Sequence, residues 1–586
     1  MRQMVACLFL CTSLVAQGKV AWRTWGPAAF AEAKAAGRPV LVDAEATWCH
    51  WCHVMEAKTY GDSEVATLIA RTFVPVKADI DLHPDAQELY ADIGWPGTTL
   101  YAPDGTVLWR HRGYVAKEAF LPVLQRVAAE AHMGRYTPWR PEEGEAAVPA
   151  PEGDPLALAR GWVDRAFDED LGGWGEQKYP IAMNVEELFR RAHRGDSGAR
   201  FRALYTLSQQ RSITDPVWGG LFQYSAGPDW HAVHFEKLAT LQAGYLENLA
   251  EAWRATGDED WKRDAAQVVG FLRRFMQHPE GGWSATVDAD LGGHGAVRPR
   301  MLGKAYYALG NRARLRAGLP RTDRRRYAQV QGLLASAYAR LAGVLEGPAL
   351  LREARAAMVY VDAKLKRGQG FLHAEGQEGY YLQDQVAILK AHLALYEVTG
   401  EETWLSRAES LAGFIDGAFR NPQGLFLSRS GAEGLPASGR VPVDDNLALA
   451  RALAKLQALR GVGPWGERAA AVAAALCTPA GLDAQGRWLG DAILLLEELK
   501  SEAPHLVIVG DPADPRTQAL TAAAHRGWMP GTAVLRHEPT RLEPINPELS
   551  FPRLGMPAAF LCSRGSCSLP LTTPESLTAE LARRRR

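Results

Sequence analysis

The sequence predicts a multidomain chain: an α/β domain, then an all-α toroid of paired helices, then a small α/β segment at the C-terminus. Three observations predict it. Residues 19–134 alternate short apolar runs with amphipathic stretches, residues 155–500 carry helical periodicity with an internal repeat, and residues 501–586 return to strand-like runs. At 586 residues there is room for roughly two to four domains of about 150 residues each.

In the first domain, Ala28 to Ala36 reads as a helix closed by Gly37, and Pro39 to Ala44 as a short strand of the buried kind. A helix is expected from Cys49 to about Ile69, then a strand over Phe73 to Ala78 and a helix over Pro84 to Ile93. Thr98 to Tyr101 and Val107 to Arg110 flank Pro103-Asp104-Gly105, a hairpin turn signal, and Ala116 to Ala131 is an amphipathic helix. Residues 135–154 are rich in Pro, Glu and Ala without hydrophobic period, which marks a linker.

Between 155 and 500, glycine-aromatic loops interrupt the helices: Gly173-Trp174, Gly220-Leu221-Phe222, Gly282-Trp283, Gly370-Phe371 and Gly424-Leu425-Phe426. Residues 252–283 align without a gap on 395–426, with Thr256-Gly257 on Thr399-Gly400 and Trp261 on Trp404. Each copy reads as helix, glycine turn, helix and loop. Helical hairpins that repeat bury their apolar faces on one another, and about 345 residues at ~55 per hairpin give roughly six. Six suffice to close a toroid; an open solenoid fits the long irregular loops less well. In the last segment, Leu506 to Gly510 and Thr532 to Arg536 read as strands around a helix at Arg516 to Arg526, with a further strand at Ala558 to Leu561.

Composition excludes several classes. Lys+Arg 66 against Asp+Glu 67 gives a net charge of −1, which offers no broad attraction for nucleic acid or an anionic membrane. The Arg583 to Arg586 run is a local exception, expected as a solvated tail. After residue 18 no apolar run reaches the ~18 residues of a membrane span. Before it, Arg2 precedes the apolar stretch Met4 to Ala16, and Ala16-Gln17-Gly18 has small residues where a signal peptidase needs them. Residues 1–18 therefore read as a signal peptide of an exported protein, periplasmic or extracellular. If uncleaved, they would be a buried strand or helix of a cytoplasmic one.

Trp48-Cys49-His50-Trp51-Cys52 stands at the end of a predicted strand and the start of a helix. A helix N-terminus favours negative charge and lowers the pKa of a first thiol, and a second thiol one turn on can close a disulfide with it. A zinc half-site is an alternative, for which Cys562 and Cys567 are candidate partners but lie far away in a different unit. Cys49 to His53 also fits the haem-attachment pattern, but a strand runs into this helix where a haem crevice would be needed. No metal or cofactor is expected beyond a redox-active Cys49–Cys52 disulfide.

VDAEATWCHWC resembles the active-site strand and helix of thioredoxin, and the likeness extends over residues 37–131. The resemblance implies a buried aspartate at Asp43, a cis-proline turn at Ile93-Gly94-Trp95-Pro96 and the hairpin at Asp104-Gly105. On it, Cys49 is the attacking thiolate, Cys52 the resolving thiol and Asp43 the acceptor of its proton, with Trp48 and Pro96 in support. His50 is read as a thiolate stabiliser and His53 as a helix-surface residue.

A narrower resemblance follows. CHWCHVMEAKTYGDSEVATLIARTFVPVKADID, GGLFQYSAGPDWHAVHFEK and CSRGSCSLPLTTPESL are similar to the spermatogenesis-associated protein 20-like thioredoxin proteins. That family joins a thioredoxin-like domain to a six-hairpin glycosidase-like (α/α)6 toroid. The resemblance thus implies a thiol-disulfide oxidoreductase acting on protein or small-molecule thiols, with a toroid that binds or positions substrate. A non-redox scaffold with a structural Cys pair is the rival, and a carbohydrate hydrolase or epimerase a third reading. After HFEK the chain reads Leu238-Ala239-Thr240-Leu241 where the family tends to carry Met-Leu-Tyr-Asp, which counts against carrying over sugar chemistry.

Paired carboxylates or a histidine acid–base would be needed for such chemistry. The candidates are His234, Glu236, Asp288, Asp290, Asp384, Asp444 and Asp445. Glu236-Lys237 otherwise reads as an exposed helical pair, and Asp444-Asp445-Asn446 as a helix N-cap. A cavity holding carbohydrate or peptide without turnover fits equally well. Cys562 and Cys567 are expected to form a structural disulfide, and Cys477 a buried free thiol.

Overall fold

A computed structural model describes residues 20–140, 152–292, 299–345, 347–431, 434–436, 439–501, 504–527, 531–538, 540–541, 543–552, 554–563 and 566–584. The predicted signal peptide with Cys7 and Cys11, most of the predicted linker, and the last two arginines lie outside them. The described chain falls into two units, the first formed chiefly by residues before 143 and the second by the remainder.

The first unit is a five-stranded sheet: β1 (Arg23–Thr24), β2 (Val40–Glu45), β3 (Val74–Asp79), β4 (Gly97–Tyr101) and β5 (Val107–Arg112), in the order β1-β3-β2-β4-β5. β1, β3 and β2 are parallel, whereas β4 and β5 add antiparallel. Strands covered on both faces carry continuous apolar runs, as VLV in β2 and VPV in β3 do. Helices α1 (Pro27–Ala36), α2 (His50–Met55), α3 (Ser63–Thr72), α4 (Pro84–Tyr90) and α5 (Lys117–Met133) accompany the sheet. Leu41, Met55, Phe73, Leu100, Phe120 and Leu124 belong to one core cluster.

The single helix expected from Cys49 to Ile69 is two. α2 continues as one π turn, Glu56–Tyr60, and stops at Gly61, where a Cβ would meet the Ala57 carbonyl oxygen at 2.7 Å. Asp62 then caps α3 by accepting from the Glu64 and Val65 N–H groups.

The second unit begins with α6 (Pro155–Arg165), α7 (Ala182–Ala192), α8 (Ser197–Gln210), α9 (Ala239–Thr256) and α10 (Glu259–Phe271). After the short α11 (Gly303–Tyr307) and α12 (Asn311–Ala317) come α13 (Ala328–Ala342), α14 (Pro348–Tyr360), α15 (Leu382–Thr399) and α16 (Glu402–Phe419). α17 (Val443–Arg460), α18 (Trp465–Leu476), α19 (Pro479–Gln485) and α20 (Gly490–Lys500) complete it. α7, α9, α13, α15, α17 and α20 pack in that order, and α20 packs back on α7, so an inner ring closes. α8, α10, α14, α16 and α18 each lie against the preceding inner helix, and α6 lies against α20. This is a closed (α/α)6 toroid rather than an open solenoid.

Four of the five glycine-aromatic loops are held by one repeated device. Gln242, Gln331, Gln385 and Asn446 each stand in the first turn of an inner helix. Their side-chain amides bind both the N–H and the C=O of Leu221, Trp283, Phe371 and Phe426 respectively, at 2.7–2.9 Å. Each amide thus satisfies two backbone groups that loop burial removes from water. Gln331→Leu leaves both Trp283 groups unpaired and is expected to destabilise the unit by about 2 kcal/mol, read as a lower urea midpoint with an unchanged slope.

The C-terminal segment carries parallel strands His505–Val509 and Ala533–His537, with Ala558–Ser563 antiparallel to the first. α21 (Pro515–Arg526) and α22 (Pro574–Arg584) pack together over the sheet. Cys562 and Cys567 face each other across an antiparallel pair and are disulfide-bonded, and Cys477 is free and buried. Arg584 is not part of a solvated tail: it sits in α22 and donates to the Leu561 carbonyl at 3.1 Å and to Glu580. No helix among the described residues is long and apolar enough to cross a membrane.

Candidate functional site

Cys49 closes the loop after β2 and is the N-cap of α2; its Sγ accepts the Cys52 N–H at 3.1 Å. The two cysteines are joined as a disulfide. Trp48 is buried beside them and donates its indole N–H to Asp81 at 2.6 Å. His53 is buried and its Nε2 pairs with the Thr47 carbonyl at 3.1 Å, so it is not the helix-surface residue the sequence suggests. His50 is half-buried with its ring edge-on to Trp51, which is 47% exposed. Pro96 follows a cis peptide and leads into β4, whose Gly97 pairs with Ala44 near the end of β2. Strand register thereby brings Pro96 to the end of the sheet from which the cysteine loop departs.

Asp43 lies on β2 beneath this loop, buried, opposite Lys77 on β3. The Lys77 ammonium stands 2.6 Å from Glu56, 3.2 Å from Glu45 and 4.0 Å from Asp43. Burial raises the pKa of Asp43 to about 8; the Glu45 charge adds to the rise and Lys77 opposes it. Burial works against the charge on Lys77, yet its three carboxylates hold it above the ordinary lysine value. The three carboxylates come close enough together to hold a cation, and the lysine supplies one. Glu45, Glu56 and Lys77 were not singled out from sequence; the available signal was Glu45, two residues along the strand from Asp43 and so on the same face.

The toroid candidates divide into three groups, all near the N-terminal ends of inner helices. Pairing of Lys237–Leu238 with Thr286–Val287 sets Glu236 beside Asp288. His234 Nδ1 lies 3.8 Å from Glu236, and Asp290 accepts the Gly303 N–H at 2.7 Å. Burial raises Asp288 to about 8, opposed by the hydrogen bond from the Asp290 N–H and helped by the Asp290 and Glu236 charges. Glu236 and Lys237 are both buried, which corrects the exposed-pair expectation. An aromatic row runs outward from this group: Tyr224 stacks on His234 and on Tyr179, and Tyr179 meets Trp488, which is 45% exposed.

Asp384 forms a separate buried pair with His373 Nδ1 at 2.9 Å and accepts the Gln329 N–H. Asp444 and Asp445 fall in the first turn of α17, whose N-cap is Pro442, so neither is the cap. The Asp444 side chain reaches solvent, yet the protein around it raises its pKa to about 6 and Asp491 adds to the rise.

Deeper in the ring, inner-helix charges fill the lumen. Arg451 binds Glu186 and Asp491 at 2.6 Å and Glu498 at 3.3 Å, while Arg190 pairs with Glu186 and Glu498. A cavity of about 80 Å³ remains. A second cavity of about 210 Å³ shares Arg190, Arg451, Lys455 and Glu498 with it and extends to His193 and Glu497.

Residues 9–133 match the family model Thioredox_DsbH, described as a protein of unknown function, DUF255. The chain is 23% identical to human spermatogenesis-associated protein 20 over 95% of its length, covering 89% of that protein. The Mus musculus protein of the same name is 26% identical over 50% of this chain and 41% of its own. Cellobiose 2-epimerase from Spirochaeta thermophila aligns with 59% of this chain and 95% of its own, at 15% identity and a TM-score of 0.45. A GH76 α-mannanase from Bacteroides thetaiotaomicron aligns with 59% and 96%, at 10% identity and a TM-score of 0.43. The chain is thus similar over nearly its whole length to human spermatogenesis-associated protein 20, with a thioredoxin-like first domain followed in sequence by a helical toroid.

Proposed function

We propose that the protein is a thiol-disulfide oxidoreductase whose Cys49–Cys52 pair exchanges with a protein or small-molecule substrate, and whose toroid binds or positions that substrate. One observation carries the reading: a Cys-x-x-Cys disulfide caps a helix at the end of a strand that carries a buried acid, Asp43. In the reducing direction, the Cys49 thiolate attacks a substrate sulfur and expels a substrate thiolate, leaving a mixed disulfide. Cys52 gives its proton to Asp43 and attacks Cys49 Sγ. The second substrate thiolate leaves and takes up a proton, and two electrons have passed from the dithiol to the substrate. The Cys52 N–H directed at Cys49 Sγ favours the thiolate form of the attacking sulfur.

The full-length protein is expected to catalyse insulin reduction by dithiothreitol. Cys49→Ser is expected to abolish turnover, and Cys52→Ser to accumulate the mixed disulfide. Inactive wild type in both reduction and oxidation assays would overturn the reading. A potential below about −300 mV with an unreactive Cys49 would assign the pair a structural role instead.

A second reading, a sugar hydrolase or epimerase in the toroid mouth, is favoured by the pairing of Asp288, its pKa raised by burial, with Glu236 and by the aromatic row ending at Trp488. Its test is turnover of a sugar panel that disappears in both Asp288→Asn and Glu236→Gln.

A further inference from the structure

The C-terminal segment is keyed onto the ring at two glycines. A Cβ at Gly343, which follows α13, would meet His525 Cβ at 2.6 Å, and one at Gly400, which follows α15, would meet Arg536 Cγ at 2.2 Å. Between α21 and these helix ends lies a cleft of about 680 Å³, within the range of small-molecule sites. It reaches Gly510 and Glu538, at the carboxyl ends of the two parallel strands, where open α/β sheets place their ligands.

The walls are largely aliphatic, with Leu351, Val398, Pro512 and Ala522 among them. The charge inside is unbalanced, since Arg526 and Arg536 line the cleft with one carboxylate, Glu538. Arg536 donates to the Thr521 hydroxyl, to His525 Nε2 at 3.2 Å and to the Val398 carbonyl at 3.4 Å, all neutral acceptors. Burial pushes His525 down to about 3, so it carries no charge at neutral pH, and lowers Arg536 to about 10. Among the described residues no carboxylate lies within salt-bridge distance of Arg536, whereas the buried Arg190 and Arg314 and the half-buried Arg451 each have one. Arg536 is half-buried, and a guanidinium partly withdrawn from water without an anion carries a cost that a bound carboxylate or sulfonate would relieve with charge-assisted hydrogen bonds. Thr517, which also lines the cleft and is 5% exposed, has a hydroxyl without a hydrogen-bond partner.

We propose that this cleft binds a small organic anion, its acidic head on Arg536 and its apolar body along Leu351, Val398 and Ala522. The site is independent of the redox reading. Full-length protein is titrated with sodium octanoate by calorimetry and with 8-anilinonaphthalene-1-sulfonate by fluorescence; octanol and inorganic phosphate serve as controls. Saturable binding of at least one organic anion is expected, with little response to either control. Arg536→Met should weaken that binding tenfold or more. Ala522→Trp, at an exposed position on the cleft wall, should block it without shifting the melting temperature. The proposal is overturned if neither anion binds, if Ala522→Trp binds as wild type does, or if a folded Arg536→Met does so. Octanol matching octanoate would remove the role of the charge, and phosphate matching it would remove that of the apolar body; either result overturns the assignment.

Discussion

Asp215→Ala is expected to destabilise the second unit by about 3–5 kcal/mol, the cost of leaving a buried charge unpaired. Asp215 is fully buried, and its Oδ2 accepts from Lys237 Nζ at 2.8 Å and from Arg314 at 2.7 Å. Both partners are themselves inaccessible to solvent. Lys237 also donates to the Gly219 carbonyl and packs over the faces of Phe222, Phe271 and Tyr307, which leaves it no route to water. Burial already lowers Lys237 to about 8 although Asp215 opposes the fall, while Asp215 stays below the usual carboxylate range because its two cations outweigh its own burial. Without the carboxylate, Lys237 should be neutral in the folded state at neutral pH. Unfolding then takes up a proton, so the variant loses further stability as the pH falls. Urea unfolding at pH 6 and pH 9 checks both parts: the deficit should be larger at pH 6. A loss below about 1 kcal/mol at either pH would mean that the two cations find other partners.

The same cluster shows where sequence reasoning stops. Glu236-Lys237 reads as a surface pair because its counter-charge, Asp215, lies 22 residues away and its second cation, Arg314, lies 99 residues from Asp215. Only the folded ring makes them neighbours. The luminal network around Arg451 is hidden for the same reason, since its hydrogen bond to Glu186 spans 265 residues. Elements written in local pattern were legible: β2 and β3 as short apolar runs, the hairpin at Asp104-Gly105, and the helix pairs repeated at 252–283 and 395–426. The glycine-aromatic loops were visible too, but not what holds them, because Gln331 or Gln385 in a helix's first turn looks like any polar residue. β1 is two residues long and carries no periodic signal. At the cysteine pair, motif and spacing pointed to Cys49, Cys52 and Asp43, whereas Lys77 and Glu56 required the register of β2 on β3 and the turn after α2.

That register underlies the second large effect. Asp43→Asn is expected to stabilise the first unit at alkaline pH and to slow thiol exchange. With a folded pKa of about 8 against an ordinary 3.8, the native state keeps a proton that the unfolded chain releases between those values. Wild-type stability therefore declines as the pH rises through that window and levels off above it. At about 1.4 kcal/mol per pKa unit, the full window bounds the effect at about 6 kcal/mol. Asparagine removes the titration but still buries an amide, so the expected gain at pH 9 is about 3 kcal/mol. Hydrogen exchange in β2 should show the variant's advantage growing from pH 5 to pH 9. The kinetic consequence has the opposite sign. Only deprotonated Asp43 can take the Cys52 proton, so resolution of the mixed disulfide should accelerate through pH 8 in wild type. In Asp43→Asn it should be about 100-fold slower, the scale of a lost general base, with the rise toward pH 8 gone. A variant that is more stable but resolves with the wild-type pH profile would leave Asp43 as stored strain in the sheet and place the proton acceptor elsewhere, Glu56 beside Lys77 being the next carboxylate in the cluster.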